Sequence, residues 1–194
     1  MNDALIVFTR HPQPGKAKTR LIPALGAEGA AELQRRMTLQ TVGRAWAFGA
    51  ASGKTRLIIA HEGGTPSAMR DWLGPLDYQK QAPGDLGTRL SQAMLRAHTE
   101  GARNIVIIGT DCPDLTEAHL RTAFVMLEDS DIVLGPAQDG GYYLIGLREP
   151  QPLLFEAIPW STGEVFALRE PIALQLILTG HAPGLSPHRL ARMR

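Results

Sequence analysis

The sequence predicts an α/β domain with a mostly parallel sheet. Two observations carry this. Short apolar runs alternate with longer stretches of helix formers along the chain. The runs are continuously apolar rather than alternating, which marks strands covered on both faces. The length, 194 residues, fits a single domain on a prior of ~100–200 residues each. Residues 4–8 (ALIVF) form the first strand candidate. Residues 27–48, rich in Ala, Leu, Gln, Glu and Arg, form a helix. Residues 56–60 (RLIIA) are the second strand. Thr65-Pro66 reads as an N-cap with Pro at the first helical position and opens a helix over 66–73. A helix over 88–99 sets Leu90, Met94, Leu95 and His98 along one side. Residues 104–108 (NIVII) are the third strand, and 116–127 form a helix with Leu120, Phe124 and Leu127 inward. Residues 131–134 (DIVL) and the more aromatic 142–147 (YYLIGL) complete five strands.

Composition narrows the function. Hydrophobic residues make up 44% and charged residues 20%, which argues against wholesale disorder. The net charge of +1 argues against a general nucleic-acid binder. The single cysteine, Cys112, excludes an internal disulfide framework and a multi-Cys zinc site, and suits a reducing compartment. No apolar run approaches the ~18 residues of a membrane span. The acidic start Met1-Asn2-Asp3 leads into only five apolar residues, unlike a signal peptide. The expected location is cytoplasmic, with neither nucleic acid nor membrane as partner.

Ligands of parallel sheets bind beyond the carboxyl ends of the strands, so the loops there carry the chemistry. The loop after the first strand, Thr9-Arg10-His11-Pro12-Gln13-Pro14-Gly15-Lys16-Ala17-Lys18-Thr19-Arg20, holds two of the four lysines in the chain. Arg10, Lys16, Lys18 and Arg20 give it a concentration of positive charge, and Pro12, Pro14 and Gly15 stiffen and turn it. Such a loop can hold a pyrophosphate by charge and by backbone N–H groups. Pro83-Gly84-Asp85-Leu86-Gly87-Thr88-Arg89 permits close backbone approach, and Asp85 either accepts from a base or ribose or caps the following helix. After the third strand, Gly109-Thr110-Asp111-Cys112-Pro113-Asp114 offers Asp111 as a ligand for Mg²⁺ or Mn²⁺. Asp114 and Thr116 compete to cap the next helix, and Cys112 reads as a packing residue. Gly135-Pro136-Ala137-Gln138-Asp139-Gly140-Gly141-Tyr142 combines a turn signal with a second carboxylate, Asp139. Ser52-Gly53-Lys54-Thr55 is a decoy: it precedes a strand and lacks the first glycine of a phosphate-binding loop. Ser161 lacks a nucleophile elbow. The six histidines show no ligand spacing and read as structural or exposed.

These motifs, in this order, resemble a family of bacterial proteins with the nucleotide-diphospho-sugar transferase (GT-A-like) fold. The resemblance rests on FTRHPQPGKAKTRL, PGDLGTRL, IGTDCPDL, GPAQDGGYYLIGL and IPWSTGEV and spans Leu5 to about Val165. Family members are commonly named glycosyltransferases, some in connection with arsenosugar biosynthesis. They are similar in turn to phospholactate guanylyltransferases and molybdenum-cofactor nucleotidyltransferases. The resemblance implies a three-layer α/β/α, Rossmann-like domain with a mixed sheet over residues 1–194. It implies that the loop from Thr9 through Arg10, Gly15 and Lys18 to Arg20 wraps a nucleotide diphosphate, with Lys18 and Arg20 on phosphates. It further implies that Gly84, Asp85, Gly87 and Arg89 lie near the nucleoside, that Asp111 binds the metal, and that Asp139, Gly140, Gly141 and Tyr142 face the acceptor. One departure stands out. Family members usually carry a Thr four residues past the Val of W-S-T-x-x-V and a later acidic segment; here that position is Arg169, and no Asp follows Asp139. The segment from about 169 is therefore atypical. The expected function is a metal-dependent transferase using a nucleotide-activated donor and a small acceptor, with Asp111 and Lys18 catalytic. Glycosyl transfer is the first expectation; nucleotidyl transfer to a phosphorylated small molecule, or nucleotide binding without turnover, are the alternatives.

Overall fold

A computed structural model describes residues 2–137, 141–155 and 190–193. Its elements are β1 (Asn2–Arg10), α1 (Ile22–Ser52), β2 (Thr55–Glu62), α2 (Pro66–Leu73), β3 (Asp77–Lys80), α3 (Leu86–Thr99), β4 (Ala102–Ile108), α4 (Glu117–Asp129), β5 (Ile132–Pro136), β6 (Tyr142–Leu147) and β7 (Leu190–Arg192). The strands form one seven-stranded sheet in the order β3-β2-β1-β4-β6-β5-β7. Pairing is parallel for β1 with β2 and β4, β2 with β3, and β5 with β7. Only β6 runs against its neighbours β4 and β5. The sheet is therefore mixed and mostly parallel, as the sequence predicts.

Alternation along β1 explains the continuous apolar run. Ala4, Ile6 and Phe8 point into one core, while Leu5 and Val7 point into the other. The first core is closed by Leu90, Met94 and Ala97 of α3 and by the 3-10 turn Pro152–Phe155. The second is closed by α1, α2 and α4, where Phe48 and Phe124 stack with centroids 5.4 Å apart. Ile105 to Ile108 of β4 are each at most 3% exposed, the signature of a central strand. Truncating a buried Leu or Ile there to Ala should cost ~2–5 kcal/mol.

The helix starts follow their caps. Thr65 accepts the Ala68 N–H at α2, with Pro66 at the first helical position. At α4 the N-cap is Thr116, not Asp114. On α3, Leu95 and His98 face solvent, and Ala97 takes the inward place expected of them. The stripe Leu90–Met94–Ala97 advances by four and then three residues, which keeps it on one side of a 3.6-residue helix. The expected helix over 27–48 extends to Ser52 and is preceded by a short turn, separated from it at Gly26, whose φ of 73° is not helical. The Gly53-Lys54 segment closes α1 in a left-handed cap and leads into β2, so the apparent phosphate-loop fragment is a turn. β3 is absent from the expected elements: its sequence, DYQK, is polar because it is an edge strand paired only with β2. Among the described residues no helix is long and apolar enough to cross a membrane.

Candidate functional site

The carboxyl ends of β1, β2, β3 and β4 share one rim of the sheet, and the connection from β5 to reversed β6 reaches the same rim. Two clefts open there. The first, of about 640 Å³, lies between the loop after β1 and the start of α3. Five basic side chains line it: Arg10, Lys16, Lys18, Arg20 and Arg89.

The loop is built to hold its shape. Ala17 is fully buried and anchors it, while the Lys16 and Ala17 N–H groups donate to the Gln13 carbonyl at 3.0 and 3.1 Å. Lys18 has φ 45° and ψ 47°, the one non-glycine positive φ among the described residues. Such a conformation costs ~1–3 kcal/mol and persists only where the surroundings enforce it. Here the Leu21 N–H closes on the Lys18 carbonyl at 2.8 Å, and the ammonium donates to Asp111 Oδ1 at 2.9 Å. The Lys18 side chain is only 12% exposed, whereas that of Asp111 is 74% exposed.

Glu62, at the end of β2, ties two other cations together. Arg10 donates to its Oε2 at 2.5 Å and Arg89 at 2.9 Å. Burial alone would raise the Glu62 carboxyl; the hydrogen bonds and charges of Arg10 and Arg89 outweigh it and hold the group below the usual carboxylate range. Arg10 also donates to the Lys16 carbonyl at 2.8 Å, and Arg89 to the Gly84 carbonyl at 2.9 Å. Gln81 donates to the carbonyls of Thr9 and Ala60. Lys16 and Arg20, both exposed, have no ion-pair partner among the described residues.

Behind the cleft lies a buried polar hub. Gln34 of α1 donates through Nε2 to Thr38 Oγ1 at 3.0 Å and to Thr9 Oγ1 and Thr110 Oγ1 at 3.3 Å each. Thr9 and Thr38 also bond to each other at 2.9 Å. The hub joins the end of β1 to the residues after β4 through the helix that crosses both. His11 packs edge-on to Trp72, with centroids 5.8 Å apart, and against the Gly63-Gly64 turn; Arg35 lies over the Trp72 ring at 5.6 Å. Burial first, then the charges of Arg35 and His61, lower the His11 pKa.

The second cleft, of about 520 Å³, shares Gly109 and Asp111 with the first and continues past Asp114 and His119 to Gly141, Tyr142 and Tyr143. Arg44 of α1 donates to the carbonyls of Pro113 at 2.5 Å and Leu115 at 2.6 Å, fixing the acidic loop from behind. The Thr116 N–H donates to His119 Nδ1 at 3.1 Å, half of a capping box at α4. Tyr143 stands edge-on to His119 with centroids 6.0 Å apart, and its ring lies so close to Gly135 that a Cβ there would sit 2.7 Å from Cζ. Burial, then Cys112, raises the Tyr143 pKa.

Of the expected site residues, Thr9, Arg10, Lys18, Arg20, Arg89 and Asp111 meet in the first cleft, and Asp111, Gly141 and Tyr142 in the second. Gly15 turns the loop at φ 78° without lining the cleft. Gly84 lies in a side groove with Glu62, Gln81 and Arg89. Asp85 and Gly87 line a separate concavity. Asp85 accepts the Thr88 N–H at 2.8 Å as the cap of α3, and this bond lowers its carboxyl below the usual range, so its carboxylate serves the helix. Asp139, Gly140, Trp160, Ser161, Thr162 and Arg169 lie outside the described residues. The sequence reading did not single out Glu62, Gln81, Gln34, Arg44 or His119. One signal was available for the hub: Gln34, Thr38 and Thr41 recur in phase with the inward Ala45 and Phe48, and polar residues at core positions mark a buried network.

The mixed, mostly parallel sheet flanked by helices is the nucleotide-diphospho-sugar transferase fold. The chain belongs to the family described as "uncharacterized protein conserved in bacteria (DUF2064)", whose profile matches residues 46–162. Among solved structures it is similar to a protein of Desulfovibrio desulfuricans G20 described provisionally as a nucleotide-diphospho-sugar transferase. That protein is 30% identical, with a TM-score of 0.83 over 100% of this chain and 80% of the other. The fold is shared with 4-diphosphocytidyl-2C-methyl-D-erythritol synthase of Anaerococcus prevotii (9% identity, TM-score 0.56, 99% and 86% covered). It is also shared with a cytidylyltransferase of Leptospira borgpetersenii (12% identity, TM-score 0.51, 100% and 76% covered). No curated protein matches the sequence.

Proposed function

We propose that the protein is a metal-dependent transferase that takes a nucleotide-diphospho-sugar in the first cleft and passes the sugar to a small acceptor in the second. One observation carries this reading: the two clefts meet at Gly109 and Asp111, so a donor and an acceptor bound side by side would touch across that wall. In the transfer, an acceptor oxygen forms a bond to the anomeric carbon. The bond from that carbon to the β-phosphate oxygen breaks, the nucleoside diphosphate leaves with the electron pair, and the hydroxyl proton passes to solvent. Lys16 and Arg20, free of ion-pair partners among the described residues, suit the two phosphates. The Lys18 ammonium has three donors and places one on Asp111, leaving two for the departing phosphate.

Among the described residues no group of three or more His, Cys, Asp or Glu gathers to hold a metal. The exposed carboxylate of Asp111 instead fits an ion shared with the donor's phosphates, since Mg²⁺ usually takes one or two carboxylates, phosphates and water. Mg²⁺ or Mn²⁺ bound there would supply positive charge to the leaving nucleotide. A second reading has its own support: five basic side chains are enough for a triphosphate, and the fold is shared with cytidylyltransferases. In that reaction a phosphorylated acceptor would attack the α-phosphorus and pyrophosphate would leave. The test is product identity at millimolar Mn²⁺. Nucleoside diphosphate released from a sugar donor is the expected result. Pyrophosphate from GTP or CTP, without diphosphate from any sugar donor, would reverse the order of the two. Nucleotide binding without any product would favour a binding protein.

A further inference from the structure

We infer that the second cleft selects an uncharged, hydroxyl-bearing acceptor and rejects a phosphorylated one. The inference deepens the transferase reading and rests on it for the word acceptor; the charge selectivity of the cleft rests on the cleft itself. No Lys or Arg is among its described lining residues, while Asp111 and Asp114 are. Arg44, the cation bonded to the loop that carries them, is committed to the Pro113 and Leu115 carbonyls. Lys18 reaches Asp111 from the other cleft. A phosphate beside Asp114 would meet like charge, with no Lys or Arg among the described lining residues to offset it.

The hydrogen-bonding groups say what does fit. Carboxylates only accept, so the ligand must bring O–H or N–H donors. His119 supplies the converse. Its Nδ1 accepts the Thr116 N–H, which leaves the neutral ring's proton on Nε2. The ring lines the cleft, and no described residue accepts from that nitrogen, so Nε2–H is a donor for an acceptor oxygen. A hydroxyl donates and accepts at once and satisfies both kinds of group; a phosphate oxygen satisfies only the second. Tyr143, braced between Gly135 and His119, gives this side an apolar face. His119 is thus an acceptor-binding residue as well as a cap.

Two measurements on the full chain test this. In the first, pyrophosphate is titrated while NMR follows the His119 ring and the amides of residues 16–20. Shifts confined to residues 16–20 are expected. A saturable shift of the His119 ring would overturn the inference, whereas silence at residues 16–20 would break the donor assignment and leave the inference standing. In the second, free sugars and polyols are each paired with their own monophosphate, with nucleotide sugars as donors. Nucleoside diphosphate release at least ~10-fold faster with the unphosphorylated member is expected from the like-charge penalty. Faster release with the phosphorylated member would overturn the inference. Release with neither would break the transferase reading, and the NMR titration would still decide the charge selectivity. His119→Glu keeps a capping-box residue at the same position but offers no donor. It should raise the acceptor KM and leave the donor KM unmoved; an unchanged acceptor KM would remove His119 from the cleft's binding groups.

Discussion

The cleft beside β1 is ringed by five basic side chains; the cleft beside β5 and β6 has none among its described lining residues and two carboxylates instead. Both sit on the same rim and share one wall, so the contrast comes from the loops, not the sheet. The loop after β1 draws its charge from the sequence itself, which concentrates cations between Arg10 and Arg20. The loop after β4 draws its charge from Asp111 and Asp114, with Arg44 turned to backbone carbonyls. On the proposed reading, a rim divided in this way holds an anionic donor beside an uncharged acceptor. Such a difference in affinities is set as much by what each side repels as by what it attracts.

The contrast is broken most severely at the shared wall. Asp111→Asn keeps the shape and removes the charge, and turnover should fall ~100-fold or more, as for loss of a group acting on developing charge. The stimulation of nucleotide binding by Mn²⁺ should vanish with it, and calorimetry at several metal concentrations reads this directly. Equal metal enhancement in the variant would remove Asp111 from the metal site. Next comes Lys18→Ala. One lost charged hydrogen bond is worth ~1.5–3 kcal/mol, so nucleotide affinity should drop ~10-fold or more while the acceptor KM holds. The two KM values, measured on one preparation, show whether the effect stays on its own side. Gln34→Leu acts from behind. It leaves Thr9, Thr38 and Thr110 short of a partner at ~1–3 kcal/mol, visible as a lower Tm together with weaker nucleotide binding. Unaltered binding in a destabilised variant would make the hub purely structural.

The smallest effect is set by pH. Burial and neighbouring charge lower the His11 pKa, so the folded state prefers the neutral ring. The associated stability is present above the ordinary value of 6.5 and declines as pH falls below it toward the depressed folded value. Melts recorded from about pH 7 down to about pH 5.5 should show a slope that His11→Asn flattens, since His is the group whose charge changes there. Glu62 works in a different window. Its lowered pKa means that its contribution persists above 4.5 and is lost only in more acidic solution.

Strands β1, β2, β4, β5 and β6 were legible because burial on both faces writes itself as runs such as NIVII and ALIVF. β3 and β7 were not, because each lies at an edge of the sheet and neither is an apolar run. In the candidate site, the cations of the first loop were legible as a cluster because they lie close together in sequence after β1, and Asp111 because it closely follows the end of β4. Glu62, Gln81 and Gln34 each come alone from a different element, and what gives them meaning is contact with Arg10, Thr9 or Thr110 across the fold. Asp85 shows the converse: its glycine-rich segment reads equally as a ligand contact or a helix cap, and the choice of the cap is visible only in the Thr88 N–H that its carboxylate accepts.

Gly26 has a further consequence, for hydrogen exchange. Its φ of 73° and ψ of 169° interrupt the hydrogen-bond ladder near the start of α1. Amides before the break, in a turn whose Leu21 and Leu25 are exposed, have few inward contacts to protect them. Those after it belong to a helix anchored by Ala30, Thr38, Val42, Ala45 and Phe48. The two stretches should therefore open separately, the first by local fraying and the second only with the domain. Reshaping the chain that leads out of the cationic loop then disturbs one exposed turn, while the helix carrying Gln34 and Arg44 stays fixed against both clefts.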